Sequence, residues 1–199
     1  MTGRSGLAVA LLVLLASGCM GYRDYYDTAS DRYDEALAGA RPATTDRRAR
    51  CTVHVRRYLA RTLEEPVSVE RTELERMAEE SIRQMQIFKP DRLGRNVERP
   101  DYHFIFDVTI ETTREPGLFA GLILPFDRGR EYTVRLQVLD ERGKPFTRYA
   151  AAAGTRQFRH LFLLPVAPFY WPGWAERRAM RDLFRALTVK LIEHRKEYL

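Results

Sequence analysis

The chain lacks the short motifs that mark the common catalytic sites. Only three serines follow residue 18, and none of them lies in G-x-S-x-G. The four histidines are scattered, so there is no H-E-x-x-H and no cysteine cluster that would bind zinc. There is also no G-x-G-x-x-G and no P-loop for a nucleotide. We therefore expect a protein that is not an enzyme and that holds no cofactor or metal.

Cysteine is scarce as well, and the first cysteine follows a targeting pattern. In residues 1–18, one basic residue, Arg4, precedes an apolar run too short to span a bilayer, and the segment ends in Ala16, Ser17 and Gly18. Cys19 comes next. This pattern resembles the lipobox of bacterial lipoproteins. The resemblance implies that residues 1–18 are a signal peptide and that Cys19 is lipidated and becomes the mature N-terminus.

A lipidated Cys19 has consequences for location and for the second cysteine. Met20 follows it, and by resemblance to Gram-negative sorting rules the absence of aspartate there implies the outer membrane, with the domain facing the periplasm. The periplasm is oxidising, but Cys51 then has no partner for an internal disulfide. We interpret Cys51 as a small buried hydrophobe rather than a reactive thiol. No later stretch is apolar enough for a transmembrane helix, so the lipid is the expected attachment.

Residues 19–50 combine aromatic and charged residues with few aliphatic ones. Glycine, proline and threonine near residues 39–45 are typical of a linker. We predict a lipidated N-terminus and tether over residues 19–50, with a reach of roughly 100 Å, and a periplasmic domain over residues 51–199. Five residues of the tether also fall at helical spacing, which fits a short helix: Tyr22, Tyr26, Ala29, Tyr33 and Leu37.

Hydrophobic periodicity predicts one α+β domain after the tether. Residues 51–55 alternate as in a strand, although a helix with Cys51, Val55, Leu59 and Leu63 on one face competes with this interpretation. Thr72 and Glu75 form a capping-box pattern at the start of an amphipathic helix, which we extend to about Phe88.

The second half of the domain begins with residues 102–158, which predict three antiparallel strands in a meander. The third strand is rich in alanine, so its buried face is ambiguous, but its small side chains would let a helix approach closely. A second amphipathic helix follows from about Ala175. The expected architecture is a mixed sheet of about four strands, with the three-strand meander and two helices.

Two connections of the meander are far more apolar than ordinary loops. They are residues 116–126, between the first two strands, and residues 161–174, after the third strand. In an antiparallel meander both attach at the same end of the sheet, so we expect them to be neighbours. They either close the core or form an apolar surface for a membrane or a partner. The predicted contact residues are Leu118, Phe119, Leu122, Phe126, Phe169, Tyr170, Trp171 and Trp174.

One polar pattern keeps an alternative function open. His103, Asp107 and Glu111 share one face of the first meander strand, where they could serve acid–base chemistry or bind a metal. A solvated strand face explains the same pattern. The alternative is therefore a periplasmic hydrolase or metal-binding protein that uses these three residues.

The chain is basic, with a formal net charge of +6, and nearly all of its positive charge is arginine. Basic residues are interleaved with acidic ones along the sequence rather than concentrated in a patch. Nucleic acid is not an expected partner outside the cytoplasm. Lipid phosphate or another anion of the envelope is a better candidate, although a solvated surface remains the default explanation of the charge.

The order lipobox, tether, strand, helix, three strands and helix resembles that of small envelope lipoproteins of Gram-negative bacteria, including the curli-secretion and penicillin-binding-protein-activator lipoproteins. The likeness is one of layout and includes no diagnostic motif, so it assigns no functional residue. It implies a non-enzymatic adaptor or assembly factor at the membrane, with an unidentified envelope protein as the partner.

Overall fold

Residues 102–112 form a central strand of a mixed sheet because their alternate apolar side chains face one side. The computed structural model describes residues 19–40, 45–59, 62–63, 71–112, 126–159 and 172–199. The strands in these ranges are β1 (Cys19–Tyr26), β2 (Ala49–Leu59), β3 (Thr62–Leu63), β4 (Leu93–Gly94), β5 (Tyr102–Thr112), β6 (Phe126–Leu139) and β7 (Pro145–Arg159). The α-helices are α1 (Tyr33–Gly39), α2 (Arg71–Arg83) and α3 (Pro172–Glu193). Short 3-10 helices cover Thr28–Arg32, Pro90–Arg92 and Arg195–Tyr198.

The strand order in the sheet is β1-β7-β6-β5-β2-β3, and β4 also pairs with β2. β5, β6 and β7 form the antiparallel meander that the sequence predicts. β2 runs parallel to β5, which confirms a strand rather than a helix at residues 51–55. α2 lies in the crossover that such a parallel pair requires. The α+β class in one domain is confirmed, whereas four strands and two helices are too few.

The helices pack on one face of the sheet, and the strands place their apolar residues toward it. The buried positions of β5 are the even-numbered ones, from Tyr102 onward. In β7, Ala151 and Ala153 are buried whereas Ala152 is exposed, which settles the ambiguous face of this strand. α3 packs against β7, and its predicted apolar stripe is buried: Met180, Leu183, Phe184, Leu187 and Leu191.

α2 differs from its prediction at both ends. Arg71 is already helical, so Thr72 lies inside the helix rather than capping it, and Glu75 pairs with Arg71 across one turn at 2.9 Å. The helix ends at Arg83 rather than near Phe88, and Gln86 has a positive φ of 56° that ends the helical turn. Met85, Ile87 and Phe88 remain buried beyond that end.

The predicted tether is wrong for much of its length. β1 pairs along the free edge of β7, and the 3-10 helix and α1 that follow it pack against α3. The Lys190 ammonium on α3 donates to Asp27 at 2.5 Å and to the Ala150 carbonyl at 2.7 Å, which ties this segment to the domain. A bare sheet edge offers a row of unpaired backbone groups, and β1 satisfies them. Residues 19–39 therefore belong to the folded domain.

Aromatic rings close the end of the core that lies opposite Cys19. Tyr198 is fully buried, and its ring packs against Tyr102, Phe104 and Phe146 at centroid distances of 5.3 to 5.8 Å. Burial raises the pKa of the Tyr198 hydroxyl, so this group stays neutral. Such a cluster contributes packing as well as apolar burial. The last described residues thus complete the core.

The close approach of α3 to β7 yields a stability prediction. We expect Ala153→Leu to lower the free energy of unfolding by about 1–3 kcal/mol, because the added atoms must displace α3. Ala152→Leu is the matched control: it adds the same atoms on the exposed face and should change stability by less than about 0.5 kcal/mol. Denaturant unfolding followed by circular dichroism measures both. Equal losses in the two variants would contradict the assigned face of β7.

Candidate functional site

The predicted lipidation residue lies at one end of the sheet. Cys19 begins β1 and pairs with Arg159, the last residue of β7, which also pairs with Phe126, the first residue of β6. Three strand ends are therefore neighbours. We call this end, defined by Cys19, Phe126 and Arg159, the anchor end.

Both apolar connections attach at the anchor end. Residues 113–125 join β5 to β6, and residues 160–171 join β7 to the start of α3. The register of β5, β6 and β7 confirms the expectation that both connections attach at the same end of the sheet. The predicted contact residues have side chains outside the described part of the structure, so their role stays a prediction. Among the described helices, none combines the length and the hydropathy that crossing a membrane requires.

A buried polar cluster lies in the core next to the anchor end. Arg130 on β6 donates to Glu176 on α3 at 2.9 Å, and their side chains are 14% and 23% exposed. The hydroxyls of Tyr132 and Thr155 lie 3.4 Å apart beside this pair. The cluster links β6, β7 and α3 directly below the points where the connections leave the sheet.

The cluster is electrostatically costly. Burial, followed by the charge of Glu176, raises the pKa of Tyr132, so its hydroxyl stays protonated. Thr112 Oγ1 and Arg130 Nε are buried and have no hydrogen-bond partner among the described residues. An unsatisfied buried polar atom costs about 1–3 kcal/mol. The anchor end of the core therefore contains polar groups that packing alone does not explain.

Sequence reasoning overlooked this cluster, although a signal was present. Arg130 continues the inward-facing positions of β6, where Tyr132 and Val134 are buried. Thr112 likewise continues the inward positions of β5. A charged residue at an inward strand position, directly beside an apolar connection, marks such a site. Glu176 could not be found in this way, because its contact depends on how α3 crosses the sheet.

We expect the Arg130–Glu176 pair to be coupled in stability. Arg130→Leu should cost about 1–3 kcal/mol, because it leaves the Glu176 carboxylate half-buried without its partner. Glu176→Leu should cost a similar amount, and the double variant should cost less than the sum of the two. Unfolding free energies of all four proteins give the coupling. Simple additivity would show that the pair is not an interaction in solution.

The opposite face of the sheet carries two short polar pairs. His54 Nδ1 lies 3.2 Å from Asp107 Oδ1, and His103 Nε2 lies 2.8 Å from Thr52 Oγ1. These pairs cross between β2 and β5, which are in parallel register. The contribution of His54 could not be predicted, because the sequence does not show that β2 is the neighbour of β5.

The three residues of the alternative function do not form one site. Their positions are four residues apart on a strand, which separates their backbones by about 13 Å per step. His103 and Asp107 have different partners, and Glu111 is exposed opposite Glu131. Partial burial, then Arg50 and His54, lowers the pKa of His103, which favours its neutral form. Within the described ranges, no group of three or more His, Cys, Asp or Glu could hold a metal ion.

Cys51 behaves as the sequence predicts. Its side chain is 3% exposed and packs within the hydrophobic core on the inner face of β2. Burial, followed by the charge of Glu79, raises the pKa of the thiol to about 12. The nucleophilic thiolate is therefore scarce at neutral pH, and the interpretation as a small buried hydrophobe is confirmed.

Comparisons with known proteins give only distant likenesses. No protein family and no curated protein matches the chain. Among solved structures, a minor lipoprotein from Acinetobacter baumannii has 13% identity and a TM-score of 0.44, and covers 76% of this chain and 95% of its own. A neuraminyllactose-binding hemagglutinin homolog from Helicobacter pylori has 6% identity and a TM-score of 0.43, covering 78% and 88%. A PelC dodecamer from Paraburkholderia phytofirmans has 14% identity and a TM-score of 0.32, covering 76% and 91%.

At TM-scores below 0.5, these likenesses establish neither a family nor a function for this chain.

Proposed function

We propose that this chain is a lipid-anchored, non-enzymatic adaptor or assembly factor of the outer membrane, held with its anchor end against the bilayer. One observation carries the proposal. Cys19, the lipidation residue of the lipobox pattern, is the first residue of β1, and it lies next to the ends of β6 and β7 at which the apolar connections attach. The membrane anchor and the most apolar segments of the mature chain thus belong to the same end of the sheet. The periplasmic partner binds elsewhere on the domain.

The pairing of β1 supports a fixed orientation rather than a loose attachment. A flexible tether over residues 19–50 would allow a distance of roughly 100 Å from the bilayer. Cys19 itself pairs with Arg159, so no unpaired residue separates the lipidated residue from the sheet. A lipoprotein anchor with several acyl chains is held far more tightly than a single myristoyl chain. The domain would therefore stay at the membrane surface with its anchor end inward.

The non-enzymatic part of the proposal rests on the sequence, which contains no recognised catalytic motif. The rival hydrolase or metal-binding function required that His103, Asp107 and Glu111 act together. Their separate positions and partners weaken that rival. An adaptor needs only an anchor and a partner surface, and the chain offers candidates for both.

The first test is chemical. We expect mass spectrometry of the mature N-terminus to find Cys19 as the first residue, with its thiol carrying lipid. Cys19→Ala should abolish lipidation and release the chain from the membrane fraction. An unmodified N-terminus at any other residue would remove the anchor from the proposal.

The second test uses the two tryptophans of the chain, Trp171 and Trp174, which come directly before and within the start of α3. If the anchor end faces the bilayer, brominated lipids should quench their fluorescence strongly in reconstituted vesicles, because indoles favour the membrane interface. A long glycine–serine insertion after Cys19 should weaken the quenching.

A matched control places the fluorophore at the other end of the sheet. In this control both tryptophans become phenylalanine and Phe146→Trp supplies the only indole. Phe146 lies beside the β6–β7 turn and is 42% exposed. Its fluorescence should be unaffected by brominated lipid. Equal quenching of both proteins would contradict the proposed orientation.

A further inference from the structure

The described side chains of the segment before β2 contribute little to the hydrophobic core. Among them, only Ala29 belongs to the buried hydrophobic cluster, and Tyr26 packs against it in part. All other members of the cluster lie between Ala49 and Tyr198. We call residues 19–40, which comprise β1, the first 3-10 helix and α1, the N-terminal strap. The described core is therefore built almost entirely from the chain after the strap.

The strand of the strap lies at the end of the sheet. β1 is the first strand in the strand order, next to β7. Its register on β7 shifts between Arg23 and Tyr25, so the ladder is irregular within its length. Tyr25 covers Gly154 with its ring but remains 41% exposed. An edge strand with an interrupted ladder opens more readily than a central strand.

Polar contacts attach the remainder of the strap to α2 and α3. Arg32 pairs with Glu193 at 2.8 Å, although their side chains are 58% and 40% exposed. The Tyr33 hydroxyl donates to the Gln84 side chain at 2.6 Å. The Arg185 guanidinium lies over the Tyr33 ring, 4.9 Å from its centroid. Exposed ion pairs contribute little to stability, so a contact such as Arg32–Glu193 can be exchanged for water at low cost.

Lys190 joins the strap to both α3 and β7. Its ammonium donates to Asp27 and to the Ala150 carbonyl, and the side chains of Lys190 and Asp27 are 26% and 21% exposed. The other carboxylate oxygen of Asp27 accepts from the Ala29 backbone N–H at 3.0 Å and caps the 3-10 helix. Charge-assisted hydrogen bonds are stronger than neutral ones, and partial burial protects them from screening. We call the Lys190–Asp27 contact the latch.

We propose that the N-terminal strap has two states, docked on the domain as in the structure and released as a tether, and that the latch controls the balance between them. The composition of residues 19–50, with few aliphatic side chains, is that of a linker. The docked strap holds the anchor end at the bilayer. Once released, residues 19–40 extend over as much as roughly 70 Å. This inference rests on the proposed lipid anchor at Cys19 and gives that attachment a second, longer reach.

The second state would give an adaptor access to partners away from the membrane. A partner that binds the domain only at a distance from the bilayer has no affinity for the docked state. Its binding therefore shifts the population toward the released state. The contrasting arrangement is a strap that opens only when the whole domain unfolds, and hydrogen exchange distinguishes the two.

The test is hydrogen exchange of the full lipoprotein in detergent micelles, followed by mass spectrometry at increasing urea. We expect the amides of β1 to exchange through a smaller opening free energy, with weaker dependence on urea, than those of β5 and β6. Lys190→Met removes the ammonium but keeps the aliphatic stem, and it should speed exchange in β1 about tenfold or more. Lys196→Met removes the same charge from an exposed lysine of the last 3-10 helix and should leave β1 unchanged.

A disulfide supplies a matched lock. Tyr25 and Gly154 are register partners, and removal of the Tyr25 ring frees the space beside Gly154. Tyr25→Cys/Gly154→Cys can therefore join the strap to β7. We expect the oxidised protein to protect β1 as strongly as β5, and reduction of the same protein to restore the faster exchange.

Two results would overturn the proposal. If β1 and β5 of the unmodified protein share one opening free energy and one urea dependence, the strap opens only with the whole domain. If exchange in β1 is the same in Lys190→Met as in the unmodified protein, the latch does not control the strap. Neither result bears on the membrane orientation, which the tryptophan experiment tests. Weak quenching there would remove the orientation even where the strap opens as expected.

Discussion

The antiparallel pairing of β1 with β7 is the interaction on which the proposed arrangement at the membrane depends. It uses the backbone groups of a sheet edge that would otherwise be open. Tyr25 also covers Gly154 on β7, where its ring occupies the space that a Cβ would need. Without this pairing Cys19 would not be joined to the sheet, and the orientation that we propose for the domain at a bilayer would not be fixed.

The two ends of the core are built from different chemistry. The far end is closed by Tyr198, Tyr102, Phe104 and Phe146, whose rings pack edge to face or at a tilt. The anchor end instead contains the Arg130–Glu176 pair and the hydroxyls of Tyr132 and Thr155. Packing of the aromatic rings stabilises the fold at the far end. A buried ion pair costs desolvation free energy, but it fixes the positions of its two side chains. The polar end fixes α3 over the strands that lead into the apolar connections.

Local periodicity accounts for the parts of the fold that the sequence could predict. The apolar residues of β5, β6 and α3 are regularly spaced within each element. Each element could therefore be predicted from its own segment of sequence, and the structure confirms all three. β1 has no such pattern, because a bulge between Arg23 and Tyr25 interrupts its alternation. A strand whose alternation of apolar and polar residues is interrupted cannot be distinguished from a linker until its partner strand is known.

The candidate sites depend on contacts between distant segments, so the sequence revealed them only in part. Lys190 lies on a helix that the sequence predicts, but its contacts join it to residues 40 and 163 positions away. The His54–Asp107 pair needs the register of β2 on β5. Arg130 was detectable as an inward strand residue, whereas its partner Glu176 lies 46 residues away.

The position of β1 at the sheet edge also constrains the order in which the protein matures. Its neighbour in the sheet, β7, lies more than a hundred residues later in the chain. Closing so large a loop is slow, and β1 cannot complete the sheet edge before residues 145–159 are present. In the lipoprotein that we propose, this delay would leave Cys19 accessible to the processing enzymes, so that lipid attachment is free to precede completion of the sheet.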